Sequence, residues 1–313
     1  MTSQRGISPG DLSTDEITFD AADLLEGGPR RSLRRWLRKP FTFIPLLILL
    51  VLVGASVLAP LLAPHDPTRV NLADRLIPPI WSGGTTDYLL GTDRLGRDVL
   101  SRIMHAGQWS LATATGGVVI AAAIGVTLGL LAGYLRGRVD WMISLVISSF
   151  MAFPTIVLAL SVIAAFGPSF RNLIVVLGLA GWPQYARVIR AEVYALRERD
   201  FITAARVLGL PTRRVLRKHL LPNVTNSILV LATLQIAIFI LVESFLSYLG
   251  LGIQPPSPSW GGMLNDGRDV MQSHPWIAAI PGLMILITTL TFNMIGDSVS
   301  EYLNPKSHSA VKA

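Results

Sequence analysis

Apolar runs long enough to cross a bilayer constrain this chain more than anything else in its sequence. About 30 Å of hydrocarbon takes about 20 apolar residues in an α-helix. Residues 41–62, 109–134, 141–166, 227–251 and 276–295 supply such runs, interrupted by a single acid, Glu243. A sixth run, 173–186, is shorter because its apolar core stops at Trp182 and meets Pro183 and Gln184. A proline kink is tolerated in a membrane helix whose neighbours satisfy the freed carbonyl, so this run also reads as a helix. With 51% apolar against 15% charged residues and a mean hydropathy of +0.51, the fold class is all-α, a polytopic membrane protein of six transmembrane helices. An even number of spans puts both termini on one side.

Basic residues orient the spans, because cytoplasmic loops retain Lys and Arg. Of the 27, the segments 1–40, 135–140, 184–222 and the tail after 295 hold 20, and the opposite loops hold seven. Both termini and the 184–222 loop are therefore expected in the cytoplasm, in a plasma (inner) membrane. The net charge of +7 is an orientation signal of a protein embedded in a lipid bilayer, with no nucleic-acid partner. The first run is expected to be an uncleaved anchor, since its leader of about 40 residues carries six acids and its apolar stretch exceeds a signal-peptide core. Residues 1–28 are expected to form a disordered tail, and 30–39 a basic segment resting on anionic headgroups.

Chemistry-bearing clusters are scarce. The chain has no cysteine, and His65, His105, His219, His274 and His308 lack metal-ligand spacing, so no metal, cofactor or catalytic residue is expected. Without GxxxxGK[ST], or any Gly-Lys pair, the chain is not an ATPase. An intramembrane hydrolase using Ser244 or Ser247 lacks a base, because no histidine lies in an apolar run. An ion-coupled secondary transporter would want intramembrane carboxylates and internal repeats, and only Glu243 is present.

Two stripes stand out. Gly117, Ala121, Gly125, Gly129 and Gly133 recur every four residues and present a helix-packing face of small side chains, whose partner helix is in this chain or in a second subunit. Gln235, Phe239, Glu243 and Ser247 stack on one face of the fifth span. An acid there should face protein or water, either fixing the approach to the turn at Gly250 or, with Gln235 and Ser247, lining a path or gate.

The 184–222 loop runs to 39 residues and is rich in helical signals. Asp200 is placed to cap a short helix carrying Phe201, Ala204, Ala205 and Leu208 at helical spacing, which Gly209 and Pro211 end. Thr212 is placed to cap a second piece, closed by Pro222.

Thr203-Ala204-Ala205, three residues, Gly209, nine residues, and His219-Leu220-Leu221-Pro222 resemble the EAA signature of ABC importer permeases, with Thr203 in place of Glu and His219 in place of Ile. Leu90-Gly91-Thr92-Asp93 with the 96–102 segment, and Glu243-Ser244 through Pro256 with Ser259-Trp260-Gly261, are similar to segments of the permeases for dipeptides, oligopeptides and nickel. The resemblance covers roughly residues 32–305 and is strongest to the C-type subunit.

The resemblance implies a type I importer permease fold organised as a tail (1–40), a first span with its extracytoplasmic loop (41–108), a five-helix core (109–305) and a short tail (306–313). It also implies an ATPase-coupling role for Thr203, Ala204, Ala205, Leu208, Gly209, Pro211, Leu221 and Pro222. The implied partners are a homologous B-type permease subunit, two ABC ATPases that carry ATP and Mg, and an extracytoplasmic substrate-binding protein. Peptides are the expected cargo, with nickel or another small solute as the alternative.

Overall fold

A computed structural model describes residues 40–303, so the expectations for 1–28, 30–39 and the tail 306–313 lie outside the described residues. Among the described residues there is no strand beyond an isolated bridge between Thr92 and Asp98. The helices are α1 (Pro40–Val57), α2 (Ala59–Leu62), α3 (Val99–Leu135), α4 (Gly137–Met151), α5 (Thr155–Phe166), α6 (Phe170–Leu196), α7 (Asp200–Val207), α8 (Thr212–Val215), α9 (Leu221–Tyr248), α10 (Trp260–Gly267) and α11 (Trp276–Leu303).

The centre of the bundle is the pair α3 and α6, and the small-residue stripe explains it. A methyl added at Gly117 would sit 2.8 Å from Leu177 Cβ, at Gly125 2.4 Å from the Trp182 carbonyl oxygen, at Gly129 2.8 Å from that of Ala186, and at Gly133 2.8 Å from that of Arg190. Ala121, also on this face, is fully buried. Backbone meets backbone along four turns, the close approach that gives helices in lipid their van der Waals attraction. The partner helix is thus in the same chain.

Contacts along that pair advance in the same direction on both helices, so α3 and α6 run parallel. The chain must return between them, and α4 with α5 makes that return. The expected single helix over 141–166 is corrected here: it is two helices meeting at 86°. Pro154 has no N–H to extend α4 and disfavours helical geometry at Phe153, so α4 ends at Met151 and α5 starts afresh. Pro183 behaves differently, because α6 runs unbroken through it.

Among the described residues four helices, α1, α3, α8–α9 taken together, and α11, are long and apolar enough to cross a membrane, and the bent α4–α5 pair meets the same length and composition only when its two helices are taken together. The remaining expected span lies in α6, whose charged second half (Arg187, Arg190, Glu192) lengthens the helix far beyond residue 186. Ser56 and Gln108 join the end of α1 to the start of α3, whereas Ser298 donates to the Phe41 carbonyl at 3.3 Å. The two ends of the described chain therefore meet at one end of the bundle.

The loop expected at 184–222 is shorter than its sequence suggests. α6 persists to Leu196 and helix resumes at Thr212, leaving 197–211 to carry only α7. Pro222 does not close a helix, as the sequence suggested. The chain from α8 continues through a π-helical turn, Leu216–Leu220, in which the Leu221 N–H reaches back to the Leu216 carbonyl, and Pro222 occupies the first turn of α9. Shifting the hydrogen-bond register by one residue is how a helix absorbs a proline that would otherwise clash with the preceding turn.

Candidate functional site

α7 is a two-sided helix. Ile202 and Ala205 are buried and join the core with Val215 and Leu220, while Thr203, Ala204 and Phe201 are exposed. Leu208 is 77% exposed and Val207 82% exposed. The expected grouping of Phe201, Ala204, Ala205 and Leu208 on one face is therefore corrected. Ala205 turns inward, and the outward apolar face is Phe201, Ala204, Val207 and Leu208. Val207 went unnoticed because spacing alone does not say which of two apolar faces the bundle takes.

Two expected caps are also corrected. Arg199 and Pro211 occupy the cap positions, so Asp200 and Thr212 are the first helical residues, and neither cap position makes a side-chain hydrogen bond to the helix. An acid in the first turn still favours the positive end of the helix dipole. The C-terminal end is built as expected at Gly209, whose φ of 70° places it in the left-handed region. Its N–H donates to the Arg206 carbonyl at 2.9 Å, and the Leu210 N–H donates to that of Ala205 at 3.1 Å. These two bonds satisfy carbonyls that the end of α7 would leave open, and they reverse the chain toward Pro211.

The turn is clamped to the end of α3. The guanidinium groups of Arg197 and Arg206 lie 5.7 and 5.9 Å from the buried Tyr134 ring, and Arg206 donates to the Arg197 carbonyl at 2.7 Å. Beside it Arg136 stacks 3.9 Å over Tyr194 and pairs with Glu198, while Arg190 of α6 pairs with Asp140 of α4 at 2.5 and 2.9 Å. Arg197 and Arg206 thus tie α7 and the end of α6 to α3, and Arg190 ties α6 to α4. Leu221 is half-buried and Pro222 exposed at the start of α9.

The polar stripe of α9 lies inside the chain. Gln235, Phe239, Glu243 and Ser247 are all buried, and Glu243 has no exposed surface. Ser247 Oγ donates to Glu243 Oε1 at 2.6 Å and accepts from the Ile253 N–H at 3.4 Å. The carboxylate, through Ser247, ties the last turn of α9 to the loop beyond Gly250. The following segment shows why each residue of Ser259-Trp260-Gly261 is needed. Ser259 caps α10 by accepting from the Gly262 N–H at 3.1 Å. The indole of Trp260 donates to the Ile103 carbonyl at 3.2 Å. A Cβ on Gly261 would lie 2.2 Å from the Ser244 carbonyl oxygen.

At the far end of α3 from the α7 turn, the structure assembles a cluster to which the sequence reading assigned no role. Asp93 accepts from the Leu95 and Arg97 N–H groups (2.8 and 3.0 Å), from Arg97 Nε (2.7 Å) and from Arg102 (2.9 Å). Both arginines also reach Asp266 of α10, at 2.8 and 3.0 Å, and Arg94 pairs with Asp269 at 2.7 Å. Burial pushes the half-buried Asp266 carboxyl above the usual range, against the pull of Arg97. The loop can fold this tightly because Gly96, at φ 70°, packs where a Cβ would fall 1.7 Å from the Asn71 carbonyl oxygen. The segment resembling family permeases before α3 is thus a charged latch between that loop and α10. The only signal for it was the alternation of Asp and Arg over 93–102.

Comparison with known proteins accounts for this architecture. Residues 125–309 match the family described as "Binding-protein-dependent transport system inner membrane component", and residues 30–79 match the "N-terminal TM domain of oligopeptide transport permease C". The di/tripeptide transport system permease protein of Pseudomonas aeruginosa is 39% identical over 266 residues, covering 85% of this chain and 88% of that protein. A dipeptide transport system permease protein of Alkalihalophilus pseudofirmus is 36% identical, with 90% of each chain covered. The glutathione transport system permease protein of Pectobacterium atrosepticum is 37% identical over 88% of this chain and 90% of its own. Among solved structures, a chain of the MetNI methionine ABC transporter in inward-facing conformations superposes with a TM-score of 0.54 at 18% identity, covering 64% of this chain and 95% of that one. Its likeness places the bundle in the type I ABC importer permease fold. With a family model matched over more than half its length and relatives covered nearly end to end, this chain belongs to the binding-protein-dependent transport system inner membrane component family.

Proposed function

We propose that this chain forms half of the membrane path of an ABC importer for short peptides, and that α7 receives the stroke of an ATPase. The observation carrying the reading is the outward apolar face of α7, held rigidly by the Gly209 turn and the Tyr134 clamp yet left uncovered by the rest of the chain. Exposed apolar surface on a well-fixed turn is the mark of a docking site. Thr203, Ala204, Leu208, Gly209 and Pro211 lie at that surface, and Ala205 anchors it from beneath. Leu221 and Pro222 start the helix through which motion reaches the interior.

The assembly supporting this stroke is a homologous B-type permease, two ATPases that bind ATP and Mg, and a binding protein outside. Both termini and α7 then face the cytoplasm of a plasma-membrane protein, in line with the 20 basic residues on that side. Peptides as cargo rest on the naming of the relatives above, which spans di- and tripeptides and glutathione. Glu243 and Ser247, being buried within one chain, are assigned a structural role at the end of α9 rather than a gating one, and Gln235 packs inside with them.

The test is reconstitution. The purified single chain should hydrolyse no ATP, whereas the assembly should hydrolyse it faster when peptide-loaded binding protein is added. Hydrolysis by the single chain, or an assembly indifferent to loaded binding protein, refutes the reading. Reporter fusions after Gly137 and Arg214 should read cytoplasmic and one near Asp87 external; the reverse pattern refutes the orientation.

A further inference from the structure

Between α3 and the stretch 212–221 lies a groove of about 590 Å³. Its walls are Val126, Leu130 and Leu131 of α3, with Leu216 and Leu221 opposite. At its rim stand Arg213 and Arg217, one helical turn apart, and no acidic side chain lines it. Both arginines are exposed, and neither makes an ion pair or side-chain hydrogen bond with a described residue.

We infer that this groove holds one anionic phospholipid, its phosphate between Arg213 and Arg217 and an acyl chain along the apolar walls. The α3 wall lies inside the apolar run 109–134, whereas the facing stretch 212–221 carries Arg213, Arg214, Arg217 and Lys218 before it leads into the apolar part of α9, so the groove stands at the charged edge of the apolar spans. Leu131 and Val126 precede Leu135, the last residue of α3, by about 6 and 14 Å along the helix axis at ~1.5 Å per residue. That interval suits the passage from headgroup to upper acyl chain. Guanidinium groups bind phosphate oxygens in a planar fork and prefer an anionic surface, whereas the choline ammonium of a zwitterionic headgroup would meet two positive charges. A lipid seated there braces the helix leading from α7 into α9 against α3, and so couples the membrane's composition to the turn. The site exists whether or not α7 meets an ATPase, so its failure and the failure of that reading are separable.

The experiment is native mass spectrometry of the purified assembly, and of the full chain alone, after exposure to mixed micelles containing phosphatidylglycerol or phosphatidylcholine of matched chains. Wild-type protein should retain phosphatidylglycerol roughly tenfold or more over phosphatidylcholine. R213Q/R217Q should abolish most of that preference, and Thr127→Trp, which places a ring in the groove from an exposed position, should lower retention of both lipids. Should the double variant not assemble, Thr127→Trp carries the test alone. Millimolar inorganic phosphate should not displace the lipid. The inference is overturned by equal retention of the two lipids, by retention unchanged in Thr127→Trp, or by displacement with free phosphate. A cross-link from Thr127→Cys to the partner permease subunit would likewise overturn it, by showing the groove covered by protein.

Discussion

Replacing Val207 and Leu208 together by serine separates docking from folding. Both side chains project from α7 with 82% and 77% of their surface exposed, so their loss should shift the stability of the chain by no more than ~0.5 kcal/mol each. Full burial of a Val or Leu side chain is worth about 1.5–3 kcal/mol, and four fifths of that remains unrealised at each position in the isolated chain. The pair therefore holds about 2.5–5 kcal/mol of apolar burial that only a partner can realise. At 1.4 kcal/mol per tenfold, and allowing half to be lost to ordering at the interface, V207S/L208S should weaken ATPase binding by roughly tenfold to sixtyfold. The assay is titration of the ATPase subunit onto nanodisc-embedded permease, followed by hydrolysis measurements on the assembly. Ile202→Ser, on the fully buried opposite face of α7, is the contrasting variant and should instead lose stability by about 2–5 kcal/mol. Wild-type affinity and hydrolysis in V207S/L208S would refute the docking argument, because these two are the most exposed large side chains of the outward apolar face, above Phe201 at 43%.

Other outcomes follow from the same geometry. Asp93→Ala should lower thermal stability by about 3–5 kcal/mol, measured by unfolding in detergent, because it strips a carboxylate from the buried Arg102 and leaves that charge to Asp266 alone. Gly129→Leu should cost at least about 1–3 kcal/mol, since even a Cβ meets the Ala186 carbonyl oxygen at 2.8 Å and the two backbones must part. Asp266→Asn should flatten a pH dependence. A carboxyl held above its ordinary value of 3.8 contributes stability that is full below that value and lost as pH rises through its raised folded value, so unfolding midpoints of the variant should vary less over that interval. Glu243→Gln should assemble and transport normally across pH, while Glu243→Ala should reduce assembled protein; transport lost in the Gln variant alone would return Glu243 to the path.

How much was legible in the sequence depended on the range of the signal. Apolar length and the placement of arginines act locally, so the all-helical membrane character and the basic, helix-bearing segment ending at Gly209 could be read directly. The small-residue stripe announced a close helix contact, but only the folded chain named α6 as the partner, because lipid exposes no periodic clue to which neighbour arrives. The bend at Pro154 and the continuity at Pro183 are the same residue type with opposite outcomes. The 86° bend follows α4 where a new helix can start, whereas α6 is held straight against the α3 backbone across four turns. The polar stripe of α9 was visible as a spacing of four, yet whether Glu243 met a path or the protein interior was a question of what packs upon it. The latch joining Asp93, Arg97 and Arg102 to Asp266 spans more than 160 residues of sequence, and ion pairs of that range leave no periodicity to detect. Local pattern thus determined which segments become helices and which end carries the basic turn. Which faces stay bare, and hence where a partner or a lipid can bind, was decided only when the helices packed.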